Sequence, residues 1–159
     1  MILFRLLRDY EKFVYTIQEQ FSCIKRSTLT IAQKSKRLSV LSGELIFEDG
    51  YRLKVAERLS MDSGLIIESY GYELWHGSDK IAWYDSQSHP DDPSLKSSHP
   101  HHKHIPPDIK HNRIPAPQLS FTKPNLPILI QEIDEIIQGE LPSDKKKGDL
   151  LLFPGRRKT

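Results

Sequence analysis

At 159 residues and 18.4 kDa the chain has room for one hydrophobic core with ends to spare, and two domains would be cramped. Hydrophobic residues make up 37% and charged ones 28%, and no apolar run approaches the roughly 20 residues that span a bilayer, which argues against an integral membrane protein. The net charge of +2 conceals basic ends around an acidic middle: eight bases against three acids over residues 1–37, four against nine over 38–88, and six against two over 141–159.

Leu3, Leu6, Leu7, Tyr10, Phe13, Val14, Ile17, Phe21 and Ile24 follow the three-and-four spacing that lines one face of a helix, and they predict a single N-terminal helix over residues 1–25. The stripe reads as core packing, with a membrane-surface helix as the minor alternative; left exposed in a monomer, it would point to a homodimer or to partner docking. Asp9 and Glu11 interrupt the only apolar run near the N-terminus, which argues against a secretory leader. The lone Cys23 cannot close an intramolecular disulfide, and both features fit a cytoplasmic protein.

From Ser27 the β-branched Thr28 and Thr30, beside Leu29 and Ile31, predict a short strand. Leu38 to Glu48 and Tyr51 to Leu59 then flank Asp49-Gly50, a dipeptide suited to the positive φ angles of a tight hairpin turn. Leu65 to His76 reads as a long strand, Gly77-Ser78-Asp79 as a turn, and Lys80 to Asp85 as a further strand. The expected sheet over residues 27–85 is an antiparallel meander of about four to five strands. Seven prolines between Ser86 and Lys123 remove backbone donors, so 86–123 is expected to be a His- and Pro-rich loop.

A last helix is expected over 124–139, with Asn125 as N-cap and Leu126, Leu129, Ile130, Ile133, Ile136 and Ile137 on its apolar face. The sum is an α+β fold in which residues 1–140 form one domain, the sheet packing against the N-terminal and C-terminal helices. A basic flexible tail follows over 141–159, whose Lys145, Lys146, Lys147, Arg156, Arg157 and Lys158 fit either nucleic-acid contact or a solvated end.

The most unusual segment is Tyr84-Asp85-Ser86-Gln87-Ser88-His89-Pro90, followed by His99-Pro100-His101-His102-Lys103-His104, with four histidines in six residues. In an extended chain His102 and His104 project to one side and His101 and Lys103 to the other. Three readings are open. Imidazoles titrating near pH 6.5 supply a general base and acid for cleaving RNA without a metal, with Lys103, Arg113 and Lys110 as contacts to the phosphates. Alternatively His102, His104 and a carboxylate such as Asp85 bind zinc or another transition metal. In the third, the histidines are solvated or bonded to backbone and carry no chemistry.

A strand ending in Tyr84-Asp85, a short gap to His89-Pro90, a spacer, and then Pro100-His101-His102-Lys103-His104 resembles the TumE family of toxins from toxin–antitoxin pairs. The hairpin from Gly43 to Leu53 and the strand around Tyr70-Gly71-Tyr72 lie where that family has its sheet, so the resemblance covers about residues 28–138. It implies a small cytoplasmic toxin that acts on RNA and is held inactive by a cognate antitoxin, expected to be a small DNA-binding protein encoded beside it. The chain departs from the family pattern at Ser86, Gln87 and Ser88, where an Asn and a further His are expected.

Taken together, these readings lead to a toxin acting as a metal-independent endoribonuclease without a cofactor. His102 and His104 are its expected acid–base pair, with His101 and His89 beside them, Lys103 on a phosphate, and Tyr84 or Asp85 orienting an imidazole. The alternative is a non-catalytic regulatory or interaction protein whose His-rich loop binds a metal, RNA or a protein partner.

Overall fold

A computed structural model describes residues 4–139, and the expected basic tail over 141–159 lies outside the described residues. The elements in chain order are helices α1 (Leu7–Tyr15) and α2 (Ile17–Gln20), strands β1 (Arg26–Ser27), β2 (Thr30–Gln33), β3 (Leu38–Ile46) and β4 (Tyr51–Ser60), then β5 (Ile66–His76), β6 (Asp79–Asp85), β7 (His102–His104), β8 (Arg113–Pro115) and helix α3 (Leu126–Ile137). The strands form one antiparallel sheet in the order β1-β3-β4-β5-β6-β7-β8, with β2 also paired to β3.

The fold is α+β as expected, but the sheet has eight strands, more than the four to five read from the sequence. Two of the additions, β7 and β8, lie inside the segment expected to be a loop. The prolines do break regular structure there, yet Pro100, Pro106 and Pro107 flank β7 and leave three residues free to pair with β6. Pro115 ends β8 and so takes little from the ladder. The histidine cluster therefore sits on a sheet strand.

The Asp49-Gly50 turn forms as predicted, with φ of 58° at Asp49 and 80° at Gly50. It aligns Leu45 with Leu53 and, through the antiparallel register, puts Leu41, Leu45, Leu53, Val55 and Leu59 into the core. Gly43 has a different task. Its φ is 134°, and a Cβ there would lie 2.5 Å from the carbonyl oxygen of Thr28, where the chain from β1 to β2 crosses β3. Gly43→Ala is expected to lower stability by about 1–3 kcal/mol, from backbone strain and this clash together. Urea melts of the two proteins check this, and coincident melts would contradict the close approach.

The N-terminal stripe is covered within the monomer from Tyr10 onward: Tyr10, Phe13, Val14 and Ile17 are buried in the same core, whereas Leu6 is exposed and Leu3 lies outside the described residues. The single helix expected over 1–25 is nevertheless two short ones. Thr16 breaks it, with φ −113° and ψ 18°, and its Oγ1 donates to the Lys12 carbonyl at 2.6 Å, a local bond that competes with continued helix. Beyond Gln20 the chain is extended at Phe21, and Cys23 is half-buried.

Helix α3 buries Leu126, Leu129, Ile130 and Ile133 as read from its periodicity. Asn125, however, makes no side-chain cap. It is buried with its Oδ1 accepting from the Ser120 amide at 2.9 Å and its Nδ2 donating to the Tyr72 hydroxyl at 3.1 Å. Tyr72 in turn donates to Glu57 Oε2 at 2.5 Å, while Tyr10 of α1 donates to Oε1 at 2.6 Å. One buried carboxylate on β4 thus bridges α1 to the start of α3. Burial pushes the Glu57 carboxyl up to about 7, against the lowering effect of the two tyrosine hydrogen bonds.

Candidate functional site

Strand alternation decides which side chains of β6, β7 and β8 meet. Asp85 is paired with His102, Trp83 with His104, and His104 with Arg113, so these five residues share one face. Tyr84 is paired with Lys103 on the opposite face. There the Tyr84 hydroxyl donates to the Glu132 carboxylate of α3, and Lys103 Nζ lies 3.1 Å from the same carboxylate and 5.1 Å from the Tyr84 ring centre. The expectation that Lys103 and Tyr84 work beside the histidine pair does not match this placement. They bind the sheet to α3, and the pair lies on the face away from the helix.

On that face the geometry is tight. His102 Nδ1 donates to the Pro100 carbonyl at 3.0 Å, and His104 Nδ1 to the Ile109 carbonyl at 2.8 Å. Both Nε2 atoms therefore turn inward, onto Asp85: His102 Nε2 is 2.9 Å from Oδ1, His104 Nε2 is 3.3 Å from Oδ2, and the two Nε2 atoms are 3.1 Å apart. The three residues are buried, and these are the groups whose chemistry and spacing could hold a metal ion. Trp83 stacks on the His104 ring at 4.2 Å, and the His89 ring stands edge-on to His102 at 4.8 Å.

The electrostatics follow the contacts. Burial works against charge on Asp85, but hydrogen bonds from His102, His104 and the Gln87 amide hold its carboxyl well below the usual range. Burial likewise lowers the His102 imidazole, and the Asp85 hydrogen bond with the Pro100 carbonyl more than offsets it, leaving the group raised. His89 is lowered, first by burial and then by the positive charge of Arg113 and His102.

Arg113 lies 3.6 Å from Asp92 through its terminal nitrogen, and its Nε is buried without a hydrogen-bond partner among the described residues. It borders a small cleft with His89 and Asp92, next to an open cleft of about 700 Å³ lined by His89, Asp91, Asp92, Lys96 and His99 among others. His101 is apart from this group: its Nδ1 lies 2.6 Å from the Tyr70 hydroxyl and its ring packs on Phe121. Lys110 is exposed in the turn between β7 and β8. Sequence reasoning passed over Trp83 and Asp92. Trp83 was within reach, because two residues before Asp85 on a strand means the same face; Asp92 becomes a neighbour of Arg113 only through the turns that follow β6.

The model of the family described as toxin TumE matches residues 11–137, well over half of the chain, including all eight strands and α3. The chain belongs to the TumE toxin family. No match was found among the curated proteins or among the solved structures. As a TumE-family member this is the toxin of a toxin–antitoxin system, and its partner in that system is an antitoxin. Among the described residues no helix is long and apolar enough to cross a membrane.

Proposed function

We propose that this toxin cleaves RNA at the centre formed by the buried Asp85, His102 and His104 with His89 and Arg113 at its border. The observation that carries the reading is the position of Arg113, paired across the ladder with His104 and with its buried Nε–H unsatisfied. A guanidinium is the side chain best matched to phosphate oxygens, and neighbouring strands lie about 4.8 Å apart, so a phosphate held there is within reach of the carboxylate–imidazole group. The cleft beside it, with His89, Lys96 and His99 on its wall, has the volume for a nucleotide.

Purified toxin incubated with single-stranded RNA tests this. Arg113→Ala is expected to slow cleavage by about 100-fold, the scale on which one positioned donor stabilises developing charge. Arg113→Lys should restore little, because an ammonium lacks the two-pronged geometry. Intact RNA after incubation with folded wild-type toxin, or cleavage by Arg113→Ala at the wild-type rate, contradicts the reading.

A further inference from the structure

We propose that Asp85, His102 and His104 are the binding site of a divalent transition-metal ion of the zinc class, held by one carboxylate oxygen and the two imidazole Nε2 atoms. The spacing fits. The two Nε2 atoms are 3.1 Å apart, His102 Nε2 is 2.9 Å from Oδ1 and His104 Nε2 is 3.3 Å from Oδ2. Taking one atom from each residue, the three donors lie within 4.8 Å of one another, and an ion bound tetrahedrally at about 2.0–2.1 Å, which holds its ligand atoms about 3.3–3.4 Å apart, needs only a small turn of the carboxylate.

Hydrogen placement points the same way. Each Nδ1 faces a backbone carbonyl and must carry its proton to donate, so in a neutral imidazole the lone pair is left on Nε2. With both imidazoles neutral, two such lone pairs and a carboxylate converge in a buried space, and either protons on the Nε2 atoms or a metal ion between them relieves the arrangement. A proton bridges one pair of these atoms at a time, whereas a metal ion binds all three. Orientation of a ligating imidazole by an Nδ1–H bond to a carbonyl is the usual support of a metal site.

The same geometry weighs against the metal-independent use of this pair. With Nδ1 engaged by the backbone and Nε2 aimed at Asp85, neither imidazole presents a nitrogen to a substrate in the cleft. Two imidazoles and one carboxylate suit zinc and its transition-metal neighbours better than magnesium or calcium, which prefer oxygen alone. Three protein ligands leave a coordination position for water or a phosphate oxygen, as catalytic sites do and closed structural ones do not. This assignment goes beyond the RNA reading and does not depend on it, because metal binding is measured on the protein alone.

The experiment uses the full chain, stripped with chelator and titrated with zinc chloride in a calorimeter. One zinc ion per chain is expected, with Asp85→Asn and His104→Gln each weakening binding by at least about 100-fold, since losing a ligand costs more than losing its outer hydrogen bond. His111→Ala, which removes an exposed imidazole bonded to Asp108, should bind as wild type does. Trp83 provides a second readout that needs no loss of a buried ligand. Its ring lies 4.2 Å from His104, so a Cu²⁺ ion at the site should quench its fluorescence, and Trp83→Phe should remove that quenching while keeping one zinc per chain. Zinc uptake that is absent in the wild type, unchanged in folded Asp85→Asn, or lost in His111→Ala overturns the assignment, and so does quenching that persists in Trp83→Phe. Zinc bound by a toxin that leaves RNA intact would overturn the RNA reading instead.

Discussion

Asp85→Asn and His104→Gln are each expected to cut RNA cleavage by about 100-fold or more, through loss of the bound metal ion, and to relieve growth arrest when the toxin is expressed without its antitoxin. These substitutions keep the shape of the side chains, which matters because His104 is 3% exposed and Asp85 7%. Alanine at either histidine would open a cavity in the sheet and lose a bond to a backbone carbonyl, so lost activity could not be told from lost folding. Chelator added to the wild type should reproduce the loss and zinc should reverse it. The measurement pairs a growth assay with cleavage of a defined RNA and a thermal melt. Variants that melt as the wild type does yet remain fully toxic would remove the reactive centre from this face.

A second large effect concerns stability and lies far from that centre. Glu57 is 2% exposed and shared between Tyr10 and Tyr72, and its carboxyl is raised from an ordinary 4.5 to about 7 in the folded chain. The folded state therefore holds this proton more tightly than the unfolded one. The associated stability is fully present below about pH 4.5 and is lost as pH rises through about 7. At pH 8 the ionised carboxylate should cost about 3 kcal/mol relative to a neutral group in its place. Glu57→Gln keeps the side chain's shape without the charge, one tyrosine hydroxyl then accepting from the amide instead of donating to the carboxylate, so it should be more stable than the wild type at pH 8 by up to that amount, with the difference fading by pH 5. Denaturant melts of both proteins at the two pH values check the sign. A difference that does not change with pH would mean that Glu57 is not the group responsible.

The hairpin at Asp49-Gly50, the strand to His76 and the apolar face of α3 were all legible in the sequence, because each rests on a local signal: a turn dipeptide, alternation, or helical spacing. What was not legible depends on distant partners. Nothing near Thr16 announces that its hydroxyl turns back on Lys12 and ends α1, since threonine inside helices is common. Glu57 sits at a position whose alternation calls for an apolar side chain, and only Tyr10 and Tyr72, 47 and 15 residues away, make a carboxylate tolerable there. At the site, alternation did foretell that His102 and His104 share a face apart from Lys103. The prolines hid that this alternation belongs to a paired strand, and a paired strand is what hands Lys103 to α3 and Asp85 to the histidines.

The position of β8 has a consequence for how this toxin can be silenced. It is the last strand of the sheet, only three residues long, and it ends in Pro115, which has no N–H to offer, with Pro117 close behind. A short edge interrupted by proline is a poor template for edge-to-edge aggregation or for a peptide that inserts as one more strand. The reactive residues thus stand beside a border that resists extension. At that border a segment that covered His89 and Arg113 would have to recognise side chains, because the backbone there gives little to grip.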